Sequence, residues 1–133
     1  MTEIFADSSY WIALLNPKDA LHEKARNYPC SDRLVTTLAV QLEVMDAFSS
    51  PPFRQFASLF WKMTANSADV VAVELSADLM KRAVDLFDHR PDKAWTLTDC
   101  VSFAVMTERK LTDALTHDHH FEQAGFRALL RDG

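Results

Sequence analysis

The chain has 133 residues, 48% of them hydrophobic and 25% charged, which is enough apolar side chain to bury one core of ordinary size. Fourteen basic against nineteen acidic residues leave a net charge of −5, which argues against a passive nucleic-acid binder held by a broad basic face but not against an enzyme that collects carboxylates around cations. No apolar run reaches the ~18 residues needed to span a bilayer, so no membrane segment is expected.

In chain order, Glu3 to Ala6 is short and mostly apolar, as a first buried strand should be. Asp7-Ser8-Ser9 favours a helix N-terminus, and Tyr10 to Leu15 follows as a brief apolar helix stopped by Asn16-Pro17. Asp19 to Tyr28 is polar and helix-permissive. Leu34 to Thr36 is a second strand. Thr37 to Phe48 is apolar around most of its circumference, the pattern of a helix buried on more than one side. After the break at Ser49-Ser50-Pro51-Pro52, Phe53 to Ala65 carries Phe53, Phe56, Phe60 and Met63 at helical spacing. These two segments are expected to form a projecting helical pair.

Asp69 to Leu75 holds a third strand, and Ser76 caps a helix from Ala77 to His89. Pro91 to Thr96 is a loop anchored by Trp95. Asp99 to Lys110 is a buried helix, Asp113 to Thr116 a strand, and His119 to Ala124 a short helix ended by Gly125. Phe126 to Leu130 closes the sheet at its edge. Strands alternating with helices predict an α/β fold with a central parallel sheet of about five strands flanked by helices. The acidic start Met1-Thr2-Glu3-Ile4 is not that of a secretory signal, and Cys30 and Cys100 are too few for a disulfide framework, so a cytoplasmic location is expected.

Four carboxylates stand apart. Asp7 ends the first strand, Asp118 follows the strand at Thr116, and Asp99 opens a helix. Asp99 to Lys110 travels about 16 Å as helix, and the strand back to Asp118 covers about the same, so both acids finish level at one edge of the fold. Each aspartate has a structural explanation as a helix cap. Glu43 lies mid-helix among Ala39, Val40, Leu42, Val44, Ala47 and Phe48, with no basic residue three or four positions away. It is expected to be buried, where an ionised carboxylate is tolerated only if paired or metal-bound. Asp7, Glu43, Asp99 and Asp118 then form an oxygen-only set suited to Mg²⁺ or Mn²⁺, and phosphodiester hydrolysis is the chemistry such ions support. Thr116 is placed to orient a carboxylate. His117, His119 and His120 lack the partners of a tetrahedral zinc site and read as surface residues. Two glycines exclude a dinucleotide-binding fingerprint.

The run Ala6-Asp7-Ser8-Ser9-Tyr10-Trp11-Ile12-Ala13-Leu14-Leu15 resembles the first motif of PIN-domain proteins, VapC-type toxins above all. Thr36-Thr37 with Glu43, Leu97-Thr98-Asp99-Cys100-Val101-Ser102-Phe103, and Leu115-Thr116-His117-Asp118-His119-His120-Phe121 with Gly125-Phe126 resemble the later motifs in order and spacing. The resemblance implies a single PIN-like domain over residues 1–133 and a Mg²⁺- or Mn²⁺-dependent ribonuclease. In that reading Asp7, Glu43, Asp99 and Asp118 are the catalytic and metal-binding acids, with Thr116 in support. It also implies an RNA substrate, a homodimer, and a cognate antitoxin that packs an apolar segment against the toxin. The alternatives are a non-catalytic PIN-fold interaction module and a PIN nuclease of general RNA turnover. An aspartate-nucleophile phosphotransferase needs a second Asp where Ser9 stands.

Overall fold

The computed structural model describes residues 2–131. Five strands, β1 (Glu3–Ala6), β2 (Arg33–Thr37), β3 (Val70–Val73), β4 (Asp113–Leu115) and β5 (Arg127–Ala128), form one sheet in the order β3-β2-β1-β4-β5. Every pairing is parallel. The helices are α1 (Ser8–Leu15), α2 (His22–Arg26), α3 (Leu38–Ala47), α4 (Arg54–Asn66), α5 (Ala77–His89), α6 (Leu97–Glu108) and α7 (His119–Gln123). A 3₁₀ turn over Pro51–Phe53 precedes α4. The α/β architecture with a five-stranded parallel sheet is as the sequence predicts.

β1 lies at the centre. The chain leaves it for β2 on one side and later returns to β4 on the other, so the strand order reverses between β1 and β4. The crevice at the carboxyl ends of two such strands is where open α/β sheets place their sites. Asp7 directly follows β1, and Thr116 to Asp118 follows β4. The Asp7 N–H donates to the Leu115 carbonyl at 3.1 Å, which extends the β1–β4 ladder to the acid itself.

Caps locate the helices. Thr37 Oγ1 accepts from the Val40 N–H and Ser76 Oγ from the Leu79 N–H, each satisfying a donor left open by the first turn. The sequence reading started α6 at Asp99; it starts two residues earlier, with Thr96 as N-cap and Asp99 closing a reciprocal capping box. α2 is shorter than the polar segment that holds it. Asp19 Oδ1 takes the Leu21 N–H in a local turn before it, and Pro29 disfavours helical backbone at Tyr28 after it. β5 is only two residues long, yet Leu129 and Leu130 continue its direction by donating to the carbonyls of Ala114 and Thr116.

The core is aromatic on both sides of β1. Trp11 packs edge-on against Phe60 with centroids 5.4 Å apart, which ties α1 to α4. Phe121 meets Phe5 and Phe103, and Trp95 meets Phe103 while its indole N–H donates to Gln123. Trp95 thus anchors its loop as expected. α3 touches α1, α4 and α6. Only one stripe of it is buried, chiefly Val40, Gln41 and Val44, so the expectation of burial on more than one side does not hold. Its apolar circumference misled because Leu42 is exposed.

Phe121 holds α7, and with it Asp118, against the sheet. Phe121→Ala is expected to lower the unfolding free energy by about 3–5 kcal/mol, read from the urea midpoint. Gly125 (φ +94°) turns the chain out of α7 with open space around it, so Gly125→Ala should cost about 1–2 kcal/mol through backbone strain alone.

Candidate functional site

Parallel strands end in loops that face the same way, so side chains following β1 and β4 meet. Asp7 is 4% exposed, and its carboxylate makes no capping bond to α1 despite its N-cap position. Its partner is Thr116, whose hydroxyl donates to Asp7 Oδ2 at 2.8 Å. That direction fixes a longer relay. Thr116 Oγ1 has one hydrogen, so it accepts from the Asp118 N–H at 3.0 Å and from the Ser9 hydroxyl at 3.3 Å. Ser9 Oγ in turn accepts the His117 N–H at 3.0 Å. The hydroxyl of Thr116 thus ties the acid after β1 to the backbone that presents Asp118.

Asp99 reaches the same edge from the first turn of α6 and is 7% exposed. Its Oδ2 accepts the Thr96 N–H at 3.0 Å, while its own N–H donates to Thr96 Oγ1 at 3.0 Å. Both torsional freedoms of the side chain are spent on the capping box. Asp118 caps α7, with Oδ1 accepting the His120 N–H at 2.9 Å. His120 Nδ1 then lies 3.0 Å from Asp99 Oδ2 and 3.4 Å from Asp118 Oδ1. The two acids are therefore level, as helix and strand lengths predict.

Glu43 departs from its expectation. It is exposed, not buried, because α3 turns its Glu43 face away from the Val40–Gln41–Val44 stripe. Burial therefore demands no partner for it. It still lies near enough to act electrostatically on Asp7. Glu43 borders a cleft of about 390 Å³ whose wall includes the exposed side chains of Leu42, Met80 and Leu97.

Burial pushes the Asp7 carboxyl up to about 7, and the negative charges of Asp99 and Glu43 push the same way. The Thr116 hydroxyl and the Ser8 backbone oppose them without prevailing. An acid raised by burial and by neighbouring acids is one that a cation relieves. The donor set fits a hard ion. One oxygen of Asp99 and one of Asp118 are engaged by their caps, and among the described residues no hydrogen bond reaches Asp99 Oδ1 or Asp118 Oδ2.

Two participants escaped the sequence. Ser9 was legible only as a helix-start residue, although its place two positions after Asp7 puts it over β4. In sequence His120 is indistinguishable from its neighbours His117 and His119. His117 and His119 are indeed exposed, whereas His120 is turned inward between two acids. Asp118, His119 and His120 bring one potential ligand atom each within 4.8 Å of one another. Among the described residues no helix is long and apolar enough to cross a membrane.

The VapC20 protein of Mycobacterium tuberculosis, a 23S rRNA-specific endonuclease, is 29% identical over 126 residues, which cover 92% of this chain and 95% of the relative; the figures are the same for strains CDC 1551 / Oshkosh and ATCC 25618 / H37Rv. The crystal structure of that VapC20, described as a Sarcin-Ricin loop cleaving toxin, matches with a TM-score of 0.86 at 26% identity, covering 92% of this chain and 95% of the other. The PIN domain profile matches residues 4–127, from the first strand to the last, and the chain belongs to the PIN domain family.

Proposed function

We propose that this chain is a Mg²⁺- or Mn²⁺-dependent endoribonuclease and the toxin of a toxin–antitoxin pair. Asp7, Glu43, Asp99 and Asp118 are its metal-binding and catalytic acids, and Thr116 is the supporting hydroxyl. The observation that carries the reading is the convergence of Asp7, Asp99 and Asp118 at the carboxyl edge of a parallel sheet, joined through Thr116 and His120, in a PIN-family chain. The relative's name, a 23S rRNA-specific endonuclease, supports RNA as the substrate class.

Each acid has its own part. Asp7 is the deepest, and Thr116 Oγ1 holds one of its oxygens so that the carboxylate presents a fixed face. Asp99 and Asp118 are held by their caps and offer their remaining oxygens to the cation. Glu43 closes the outer side of the group from α3. A bound divalent cation supplies charge neutralisation and Lewis-acid polarisation at the scissile phosphodiester. The chain supplies no Gly-rich loop, so phosphate is held at this edge by the cation and the starts of helices. The apolar cleft beside Glu43, with Leu42, Met80 and Leu97, supports the antitoxin as partner, since an apolar segment laid there would cover exposed hydrocarbon and lie against Glu43.

The decisive experiment is cleavage of RNA with added Mg²⁺ or Mn²⁺. A cation contribution of several kcal/mol corresponds to about a hundredfold or more in rate. Asp7→Asn and Asp99→Asn should each lose at least that much while keeping the wild-type circular dichroism spectrum. Full activity in either variant overturns the assignment.

A second outcome concerns pH. The unfolded chain releases the Asp7 proton near 3.8 and the folded, metal-free chain near 7. Protonation thus favours the folded state, and this contribution, complete at low pH, is lost as pH rises through about 7. In urea titrations with chelator, wild type should lose stability on the order of a few kcal/mol between about pH 4 and pH 8 from this group, and Asp7→Asn should lack that share.

A further inference from the structure

His120 occupies a place no helix-capping role requires. Its backbone N–H already completes the α7 cap on Asp118, so its ring is free to point anywhere around the first turn. It points between two carboxylates, 17% exposed, with Nδ1 3.0 Å from Asp99 Oδ2 and 3.4 Å from Asp118 Oδ1. Asp99 Oδ2 already accepts the Thr96 N–H, and an ionised carboxylate has only acceptors to offer. Nδ1 therefore carries a hydrogen and donates it. Asp99 and Asp118 reach the edge from α6 and from the loop after β4, and the His120 ring lies against both.

We propose that His120 is a positioning residue, whose Nδ1–H, donated to Asp99 Oδ2 beside Asp118 Oδ1, sets the spacing at which these two acids receive a divalent cation. The brace takes one oxygen of Asp99 out of competition, so that Oδ1 is the atom presented. It also couples α6 to α7, two elements that pack through Phe103 on Phe121. Groups that hold a ligand by its second atom commonly govern metal affinity about 10–100-fold.

This inference rests on the metal reading of the site, and the test separates the two. Mn²⁺ alone is titrated into the full chain without RNA, with binding followed by electron paramagnetic resonance and by calorimetry. Wild type is compared with His120→Ala and with His120→Asn, whose amide N–H₂ occupies nearly the place of Nδ1–H. His120→Ala is expected to weaken Mn²⁺ binding about tenfold or more, and His120→Asn to restore most of it. A loss confined to folding would instead lower the thermal midpoint of both variants with no rescue of affinity by Asn, and overturns the proposal. Unchanged affinity in His120→Ala overturns it as well. Tighter binding in His120→Ala makes the ring a competitor of the cation, and equal loss in both variants makes it a direct ligand; either result also overturns it. If wild type itself binds no Mn²⁺, it is the metal reading that fails, and the brace falls with it.

Discussion

One hydroxyl hydrogen orders the centre of this molecule. Thr116 can donate once, and it spends that donation on Asp7, the most deeply set acid in the site. Every other contact of Thr116 Oγ1 is then an acceptance, which fixes Ser9 as donor above it and draws the backbone of Asp118 beneath it. The position depends in turn on the β1–β4 pairing, where Ala6 stands opposite Leu115 and the ladder runs on one bond further, from the Asp7 N–H to the Leu115 carbonyl. A slip of one residue would reverse which side chains face the crevice and leave Asp7 buried without a partner, at a cost of several kcal/mol. Sheet register and site geometry are the same constraint.

The parallel topology was readable because its signals are local. Short apolar runs followed by capping residues recur through the chain, and a helix between successive strands forces parallel pairing and a right-handed return. Asp7 and Asp118 were legible for the same reason: each follows an apolar strand at once. Asp99 was legible as an acid at a helix start, although the true cap is Thr96, and the reciprocal bond explains why both residues are needed there.

What was not readable depended on which way a helix faces. Glu43 sits among apolar neighbours, and composition alone assigned it to the core. The structure buries Val40, Gln41 and Val44 and leaves Leu42 at 55% exposure, so the apolar excess of α3 is divided between the core and an open cleft. Hydrophobicity reports that a residue prefers contact, not which contact it has. His120 failed for the opposite reason. Its two acceptors come from α6 and the β4–α7 loop, and nothing within a few residues of it in sequence foretells Asp99, twenty-one positions back. Pairings made only by tertiary structure leave no local trace.

The correction at Glu43 sharpens the electrostatic picture. A buried Glu43 would have added a second desolvation penalty to that of Asp7. An exposed one adds none, and the penalty falls on Asp7, 4% exposed and held up to about 7 chiefly by burial, with the charges of Asp99 and Glu43 adding to it. The folded chain meets that penalty without metal by keeping a proton on Asp7 near neutrality. At the proposed site a divalent cation and that proton would compete for one carboxylate, and the cation would gain the attraction of Asp99, Asp118 and Glu43 that a proton on Asp7 answers only in part. A chain of net charge −5 cannot draw a polyanion to an acidic edge by its own field. In the proposed reaction the cation therefore serves both partners, discharging the repulsion among the acids and reversing the sign of the surface that RNA meets.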